Sequence, residues 1–443
     1  MDNVKGTCTV DSSGSDSEID PVRNKNEMSQ LIGDDRPFHI LAFGVFGFIL
    51  QIFFSIGISA SQDILEETLL PTPVLLISAS LPFFVITSVL PCFVLKLSHK
   101  ALLVPVVGLG ITGVLLYALV EAVFLRVTGV IVVSTGVAIG EVTFVSMTAL
   151  YSDTAMSSYS AGTGVGFIAG PLYYTAMTTL ICLPPETTVL IISWMPAVIF
   201  PFYITIERRR FKPQGDTISH KEVSYTVLTS ENLPVKDNPS CEEKKTLIWQ
   251  NSHLMLACFV GYFSEFLTLN GVVTTLAFPN SFFDPRNHFV YYACVFMIGE
   301  CIGRSYLSIL FILNSKCTPV IARTWILSAV LLGLFIFLTL TSWYRFLHSV
   351  WIVLLLIFNM GLLAGSLYLN TFLVVTGGDD VQGKAFSRAF LSLGPSTGVL
   401  MAGLVGLVLE PTLREHCLQS TELREFCFTR SMGGWNKSTS CLR

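Results

Sequence analysis

Eleven apolar stretches, each about 20 residues long, constrain the fold of this sequence more than any other feature. They are residues 38–60, 73–95, 101–122, 127–150, 159–183, 187–206, 248–278, 288–313, 319–342, 347–375 and 385–410. A helix of about 20 apolar residues crosses the hydrocarbon layer of a membrane. Only 13% of the residues are charged, about half the share in soluble domains. The sequence therefore predicts an all-α polytopic membrane protein with about 11 transmembrane helices.

Lysine and arginine placement orients these helices. With the N-terminus in the cytosol, the cytosolic side holds 18 of the 27 basic residues: four in the N-terminal tail, eight between 207 and 246, and the six residues Lys96, Lys100, Lys316, Arg323, Lys384 and Arg388. The opposite short loops hold only Arg126, Arg286 and Arg345. Cytosolic loops are the ones enriched in basic residues, so this orientation is the one we expect. The first 37 residues are polar and acidic, and we expect no cleavable signal peptide.

A polar segment divides the chain into two helical parts. Residues 207–246 are rich in charges, serine and proline, a composition typical of a disordered linker. We predict five segments, with a major-facilitator-like arrangement of six helices before the linker and five after it. They are a cytosolic N-terminal tail at 1–37, a six-helix bundle at 38–206, a cytosolic linker at 207–246, a five-helix bundle at 247–410 and a C-terminal tail at 411–443.

An odd number of spans places the C-terminal tail on the non-cytosolic side. The tail contains Cys417, Cys427 and Cys441, and Asn436 begins an Asn-Lys-Ser sequon. Disulfides and N-glycans form in oxidising lumenal compartments. We therefore expect a luminal tail glycosylated at Asn436, and the sequence leaves open whether the three cysteines form disulfides.

Arg304 lies near the middle of the stretch 288–313 and is the only lysine or arginine so placed in any of the apolar stretches. Charged groups at that depth are costly and usually functional. Glu300 lies four residues earlier, so the two side chains share a helix face and can pair. The pair is either part of a substrate path or a structural ion pair, and the cost of the charge favours the substrate path.

Two carboxyl groups and one amide extend the candidate site. Glu141 and Glu265 lie inside apolar stretches, where a carboxyl group can hold a proton near neutral pH. Each is a candidate for proton coupling, and an equally good alternative is a hydrogen-bonded carboxyl that only packs the bundle. Asn370 is a candidate for lining the cavity. Asp63, at the luminal end of the first stretch, can be a solvated helix end.

No catalytic or cofactor site is indicated. The glycine run at 161–166 lacks both the preceding strand and the spacing of a nucleotide-binding loop, so Gly166 and Gly170 are expected to serve helix crossing, as are Gly299 and Gly303. The histidines are scattered, there is no Cys-x-x-Cys, and no Ser-His-Asp or paired-carboxylate arrangement can be placed on one side of the membrane. We predict neither an enzyme nor a bound metal or other cofactor, and no nucleic-acid partner.

Several motifs resemble those of the battenin family of lysosomal and vacuolar membrane proteins. The matching runs are GEVTFVSMTALY at 140–151, SAGTG at 160–164, SASQDIL at 59–65, YFSEF at 262–266 with Asn270-Gly271, Gly299 with Arg304-Ser305, GLLAG at 361–365 and YLNTF at 368–372. The similarity extends in order over about residues 38–410. It implies a major-facilitator-like fold, and it carries over Glu141, Glu265, Arg304 and Asn370 as site candidates. Glu300 is not part of the family pattern.

The resemblance also implies a role in clearing glycerophosphodiesters from the lysosome, with links to luminal pH and basic amino acids. A phosphodiester is a monoanion, and a cavity arginine can bind it through charge-assisted hydrogen bonds. We therefore expect a lysosomal transporter that exports small anionic solutes, with proton coupling as a further hypothesis. The alternatives are a scaffold that regulates trafficking and pH without transport, and a transporter of basic amino acids.

Two short motifs fit lysosomal sorting signals. Glu27 precedes Leu31 and Ile32 in the acidic dileucine pattern, and Tyr225 and Leu228 fit the tyrosine-based pattern. Both lie in segments predicted to be cytosolic. They predict recognition by clathrin-adaptor sorting machinery and residence in the lysosomal or late endosomal membrane.

Overall fold

The described residues of the N-terminal half are largely helical. The computed structural model describes residues 37–59, 73–120, 122–210, 239–279, 281, 288–313, 319–377, 380–420, 424–427 and 429. The helices of this half are α1 Pro37–Ser59, α2 Pro73–Val89, α3 Pro91–Val94, α4 His99–Leu119, α5 Val123–Thr148, α6 Asp153–Thr175, α7 Pro185–Ile192 and α8 Ile199–Arg210.

The C-terminal half is also helical. Its helices are α9 Cys241–Gln250, α10 Ser252–Leu267, α11 His288–Ile312, α12 Thr324–Tyr344, α13 Val350–Val374, α14 Val381–Leu391 and α15 Leu393–Ser420. A π-helical turn at Thr268–Val272 and a 3-10 turn at Val273–Thr275 follow α10 directly. A 3-10 turn at Arg424–Cys427 follows α15.

Polar residues mark several helix ends. The hydroxyl of Ser152 accepts a hydrogen bond from the Ala155 N–H (3.2 Å) at the start of α6. Ser240 and Glu243 form a reciprocal capping box at the start of α9. Such caps satisfy backbone N–H groups that have no partner within the helix. Arg345, with a φ of 53°, ends α12 in the left-handed conformation.

The predicted fold class is confirmed, whereas the count of eleven spans stays a prediction. Within the described residues, nine helical stretches are long and apolar enough to cross a membrane. Helix α2 is shorter than this criterion, and α6, which is rich in serine, threonine and glycine, is not among the nine.

The two halves meet chiefly along two pairs of helices. Within the N-terminal half, α1 packs on α6 and α4 packs on α5. Within the C-terminal half, α10 packs on α15 and α11 packs on α13. Between the halves, α6 packs on α11 and α2 packs on α15. Helices α6 and α11 thus bring residues of both halves to the middle of the molecule, where Arg304 lies.

Glycines allow the closest helix crossings. A Cβ atom on Gly166 would lie 2.6 Å from the Phe48 carbonyl oxygen of α1. A Cβ atom on Gly365 would lie 2.7 Å from the Arg304 backbone nitrogen of α11, and Gly299 and Gly303 likewise face the α13 backbone. The predicted packing role of Gly166, Gly299 and Gly303 is confirmed, since a side chain at any of them would separate the helices.

The helices extend beyond the predicted segment boundaries. Residues 207–210 continue α8, and α9 begins at Cys241, so both ends of the predicted linker are helical. Helix α15 continues to Ser420, past the predicted boundary at 410. Hydropathy fell at that boundary, but Leu413 and Cys417 are buried one turn apart and keep this part of the helix packed on the core.

The described part of the C-terminal tail packs on the far end of the second half. Cys417 and Cys427 form a disulfide. The Thr429 N–H donates to the Thr274 carbonyl oxygen (2.8 Å), and Arg345 Nη2 donates to the Thr275 carbonyl oxygen (2.6 Å). Because α10 crosses the bundle once between residues 252 and 267, these contacts lie at the end opposite the α8 and α9 termini. Cys441 lies outside the described residues.

Candidate functional site

Arg304 is buried at the junction of the two halves, with 6% of its surface exposed. Its Nε donates to Glu300 Oε1 at 2.8 Å, and its Nη2 lies 2.6 Å from the same oxygen. Its Nη1 donates to the Thr163 hydroxyl of α6 (2.9 Å), and Nη2 donates to the Tyr262 hydroxyl of α10 (2.9 Å). The guanidinium therefore bridges both halves, and the predicted Glu300–Arg304 pair is present.

An aromatic ring covers one face of the guanidinium. The Arg304 Cζ lies 4.2 Å from the ring centroid of Tyr368 on α13, a cation–π contact. The Tyr368 hydroxyl donates to Glu141 Oε1 of α5 (3.3 Å). Through Tyr368, the predicted candidate Glu141 joins the same group of side chains.

The carboxyl groups of the site lack a full set of hydrogen-bond partners. Glu265 is completely buried, and neither of its carboxyl oxygens has a hydrogen-bond partner among the described residues. Oε2 of Glu300 is also buried without one. Glu265 and Glu300 interact electrostatically with each other and with Arg304. Burying a second charged carboxylate here without a partner would be costly, so the arrangement favours a protonated carboxyl.

A small cavity of about 70 Å³ lies beside Arg304 between the halves, and Glu265 is not among its lining residues. Its polar walls include Gln51, Thr87, Glu141, Tyr262, Glu300, Arg304, Tyr368 and Ser396. Ligand sites usually measure about 300–1,000 Å³, so this conformation is too closed to admit a glycerophosphodiester. Across the cavity wall, the hydroxyls of Thr87 on α2 and Ser396 on α15 are hydrogen-bonded at 2.7 Å.

Asn370 does not lie at this cavity. Its Oδ1 accepts hydrogen bonds from the Tyr306 hydroxyl (2.9 Å) and the Ile321 N–H (2.6 Å), which fixes the segment leading into α12. The reason is helical geometry, because Asn370 follows Tyr368 by two residues, and side chains two apart on a helix point in nearly opposite directions. Its contacts are those of a structural amide.

Other predicted site residues cannot be placed. Asp63, the sorting-motif residues Glu27, Leu31, Ile32, Tyr225 and Leu228, and the sequon residue Asn436 lie outside the described residues. Within the described residues, no group of three or more His, Cys, Asp or Glu side chains could hold a metal ion.

Three side chains that contact Arg304 were not predicted from the sequence. Tyr262 and Tyr368 lie in the YFSEF and YLNTF motifs, and Tyr262 is three residues from Glu265 on one helix face. That spacing was an available signal for Tyr262. Thr163 lies in a glycine-rich run that indicates only helix packing, so no sequence signal predicted that its hydroxyl contacts Arg304.

An ion cluster between the halves was also missed. Arg388 of α14 is fully buried, although its position near a predicted cytosolic loop suggested exposure. It pairs with Asp153 at the start of α6 and donates to the Thr148 hydroxyl (3.1 Å). Lys384 also pairs with Asp153 (2.9 Å). The cluster joins α14 to the N-terminal half, near the end from which α8 and α9 leave the bundle.

The fold of this site is shared with known transporters. The major facilitator superfamily transporter FucP, in its outward conformation, aligns with a TM-score of 0.50 at 16% identity, covering 86% of this chain and 99% of that chain. A bacterial homologue of the human lysosomal transporter Spinster, inward-facing and unoccupied, aligns with a TM-score of 0.51 at 14% identity, covering 92% of each chain. At these identities the similarity concerns the fold alone.

Sequence comparison identifies the family. A profile of the family described as CLN3 protein matches residues 41–416. Protein BTN1 of Yarrowia lipolytica is 30% identical over 388 residues, which covers 85% of this chain and 95% of the relative. Battenin of Canis lupus familiaris is 27% identical over 354 residues, covering 77% of each. This chain is therefore a member of the CLN3 protein family, the battenins, with the fold of major facilitator transporters.

Proposed function

We propose that this chain is a lysosomal membrane transporter that exports small anionic solutes, with glycerophosphodiesters as its substrate class. The observation that carries this proposal is Arg304, a buried cation whose partners come from both halves at the inter-half cavity. Transporters of this kind bind substrate between their halves. A phosphodiester presents two charged oxygens to a planar guanidinium, a geometry that arginine matches with two parallel hydrogen bonds.

Transport is coupled to protons in this proposal. Glu141 and Glu265 are the coupling candidates, because both lie near Arg304 and Glu265 has no hydrogen-bond partner among the described residues. Substituting either residue with glutamine should flatten the pH dependence of efflux, since glutamine cannot exchange a proton. An unaltered pH profile in both variants would remove proton coupling through these residues. Export of solute together with protons would also affect luminal pH.

Loss of Arg304 should abolish substrate efflux. Lysosomes containing an Arg304→Ala variant at normal abundance are loaded with a glycerophosphodiester, and its release is measured. We expect release at the rate of lysosomes lacking the protein, because the anion loses its counter-charge. Asn359→Ala is a suitable control, since Asn359 is exposed and its amide donates only to its own helix, at the Leu355 carbonyl (2.8 Å). Efflux at the wild-type rate from the Arg304 variant would refute Arg304 as the anion site.

A transporter of basic amino acids is the second candidate. The unpaired carboxyl oxygens of Glu265 support it, because a substrate ammonium or guanidinium group could occupy them. Competition separates the two functions. Excess lysine or arginine should slow efflux of a labelled glycerophosphodiester only if basic amino acids share this site.

A trafficking scaffold would act through cytosolic segments instead. Removing residues 213–236 spares the capping box of α9 at Ser240 and Glu243. A scaffold predicts that this deletion abolishes function while substitutions at Arg304 are tolerated. A transporter predicts the reverse. Buried charges between the halves favour transport, because a scaffold has no need of them.

Localisation to the lysosomal membrane is part of the same proposal. Glu27, Leu31 and Ile32 would direct the protein through clathrin adaptors, with Tyr225 and Leu228 as a second signal. Replacing Leu31 and Ile32 with alanine should shift the protein to the cell surface. The division into a cytosolic tail, two bundles, a cytosolic linker and a luminal tail is also proposed. Removal of a glycan from Asn436 by a glycosidase would place the C-terminal tail in the lumen.

A further inference from the structure

We infer that Glu300 is a displaceable internal anion, which occupies the binding edge of Arg304 in the empty transporter and leaves it, protonated, when the substrate anion binds. This inference rests on the proposed function of Arg304 as the anion site. It assigns Glu300 a role distinct from those of Glu141 and Glu265. One proton is taken up for each anion bound, and the proton resides on the Glu300 carboxyl.

The contact geometry places Glu300 where a substrate anion would bind. One carboxylate oxygen, Oε1, contacts both Nε and Nη2 of Arg304, at 2.8 and 2.6 Å. These two nitrogens form the edge of the guanidinium that suits two parallel hydrogen bonds to a carboxylate or phosphate. The remaining contacts, from Thr163 and Tyr262, come from neutral hydroxyls that can stay in place. A substrate anion therefore has to compete with Glu300 for this edge.

Glu300 has few other attachments. Within the described part of the chain, Arg304 is the hydrogen-bond partner of Oε1, and Oε2 is buried without any partner. Only 1% of the residue is exposed. Once separated from Arg304, a charged carboxylate would stand unpaired in a dry environment, which is strongly unfavourable. A neutral, protonated carboxyl avoids that cost, so displacement and protonation occur together.

The charges around Glu300 allow this exchange. Arg304 faces it from its own helix, Tyr262 and Glu265 from α10, Tyr368 from α13, and Glu141 and Tyr159 lie near Arg304 from the N-terminal half. With Glu141 and Glu265 protonated, Arg304 and Glu300 form a neutral pair. When a monoanion binds, the net charge of the site stays at zero only if Glu300 takes up a proton. The positive charge then stays on Arg304 and the negative charge on the substrate.

A direct binding measurement tests the inference. The wild-type protein in nanodiscs is titrated with glycerophosphoglycerol, a glycerophosphodiester whose head group is uncharged, between pH 5 and pH 8, in buffers of different ionisation enthalpy, so that calorimetry reports both affinity and proton uptake. We expect the wild type to take up about one proton per ligand, and its affinity to fall about tenfold for each unit of rising pH over the range in which that proton is taken up. Ligand binding without proton uptake would overturn the inference, whether or not any variant folds.

Two variants assign the proton. Glu300→Gln removes the competing charge, so it should bind the ligand without proton uptake and with an affinity that is high and independent of pH. Asn359→Ala is the matched control and should keep the proton uptake, because Asn359 is exposed and its amide donates to the Leu355 carbonyl oxygen of its own helix. Retention of proton uptake in Glu300→Gln would overturn the role of Glu300 and leave the proposed function intact. Absence of binding by the wild type at every pH would instead refute the proposed function.

Discussion

The surroundings of Arg304 explain how this chain keeps a charged residue at the centre of an apolar bundle. A carboxylate on the preceding turn supplies the counter-charge, and hydroxyls from two other helices supply hydrogen bonds. Removing one partner of a buried ion pair costs about 3–5 kcal/mol, because the other charge is left uncompensated. Single substitutions at Arg304 or Glu300 therefore report on stability as well as on binding, unless the partner is neutralised too.

At Asn370 we expect an effect on stability and none on substrate binding. Asn370→Ala leaves the Ile321 N–H without its acceptor, which should cost about 1–3 kcal/mol, whereas the Tyr306 hydroxyl can still donate to the Pro319 carbonyl oxygen (2.9 Å). The measurement is the apparent melting temperature in detergent, together with the affinity for glycerophosphocholine. Asn359→Ala on the same helix is the matched control, with an expected change within about 0.5 kcal/mol. A weakened affinity for the substrate in an Asn370→Ala protein of unchanged stability would show that Asn370 takes part in substrate binding.

Some of these residue roles follow from the sequence and others require the fold. Hydropathy identifies the helix that carries Glu300 and Arg304, and their spacing of four residues on that helix predicts that they pair. Thr163 and Tyr368 reach Arg304 from other helices, and single-sequence reasoning carries no information on such contacts. Asn370 was misplaced because its depth in the apolar stretch was predictable and its direction around the helix was not.

At the scale of elements, the crossing of α11 and α13 positions the site. Gly299 and Gly303 on one helix face Gly361 and Gly365 on the other, so that the backbones touch beside Glu300 and Arg304. Small residues at such crossings allow close packing of membrane helices. The glycines therefore determine how far the Arg304 side chain projects towards the cavity.

Gly365→Ala should disturb both stability and binding. Its added methyl group would meet the backbone of Glu300 and Arg304, and overpacking of this kind costs about 1–3 kcal/mol. Gly333→Ala on α12 is the control, because a Cβ atom there meets nothing within 4 Å. For Gly333→Ala we expect a neutral or slightly stabilising effect of up to about 1 kcal/mol. Equal melting temperatures for the two variants would show that α11 and α13 can move apart at their crossing without loss of stability.

Helix types and approximate positions followed from hydropathy, whereas several helix ends did not. Hydropathy detects the part of a helix in contact with lipid. Helices α8, α9 and α15 extend past it through charged and polar residues. The Ser240–Glu243 capping box and the buried residues Leu413 and Cys417 stabilise those extensions. The helices therefore extend into the segments predicted as linker and tail.

At the scale of the whole molecule, the two halves are held together by polar contacts at different depths. Asp153 pairs with Arg388 and Lys384 near one end of the bundle. Closer to the site, the hydroxyls of Ser157 on α6 and Ser308 on α11 are hydrogen-bonded at 2.9 Å. Opening the cavity on this side requires these contacts to separate, which is consistent with the small cavity of this conformation.

A double-mutant cycle measures the Asp153–Arg388 contact. Asp153→Asn should destabilise the protein by about 3 kcal/mol, because it leaves the buried Arg388 without its counter-charge. Arg388→Met should cost less, since Lys384 still pairs with Asp153. The double variant should recover much of the loss, giving a coupling energy of about 0.5–3 kcal/mol in thermal unfolding. Additive effects of the two substitutions would mean that the contact does not hold the halves together.

The two-halved architecture was predictable, because eleven apolar stretches and a central charged segment fit few folds. The pairing of the halves through α6 with α11 and α2 with α15 was not, since hydropathy does not specify which helices touch. The same reason explains why Arg388 was counted only as a basic residue of the cytosolic side, when it is in fact buried in the interface.

The central claim is that Arg304 binds the phosphodiester group of the substrate. Its most direct test is the uptake of labelled glycerophosphocholine into proteoliposomes containing a Glu300→Gln/Arg304→Met double variant. This variant removes both charges and so avoids an uncompensated one. We predict an unfolding temperature near that of the wild type and uptake no faster than in protein-free liposomes. Uptake by the double variant at the wild-type rate would contradict the claim.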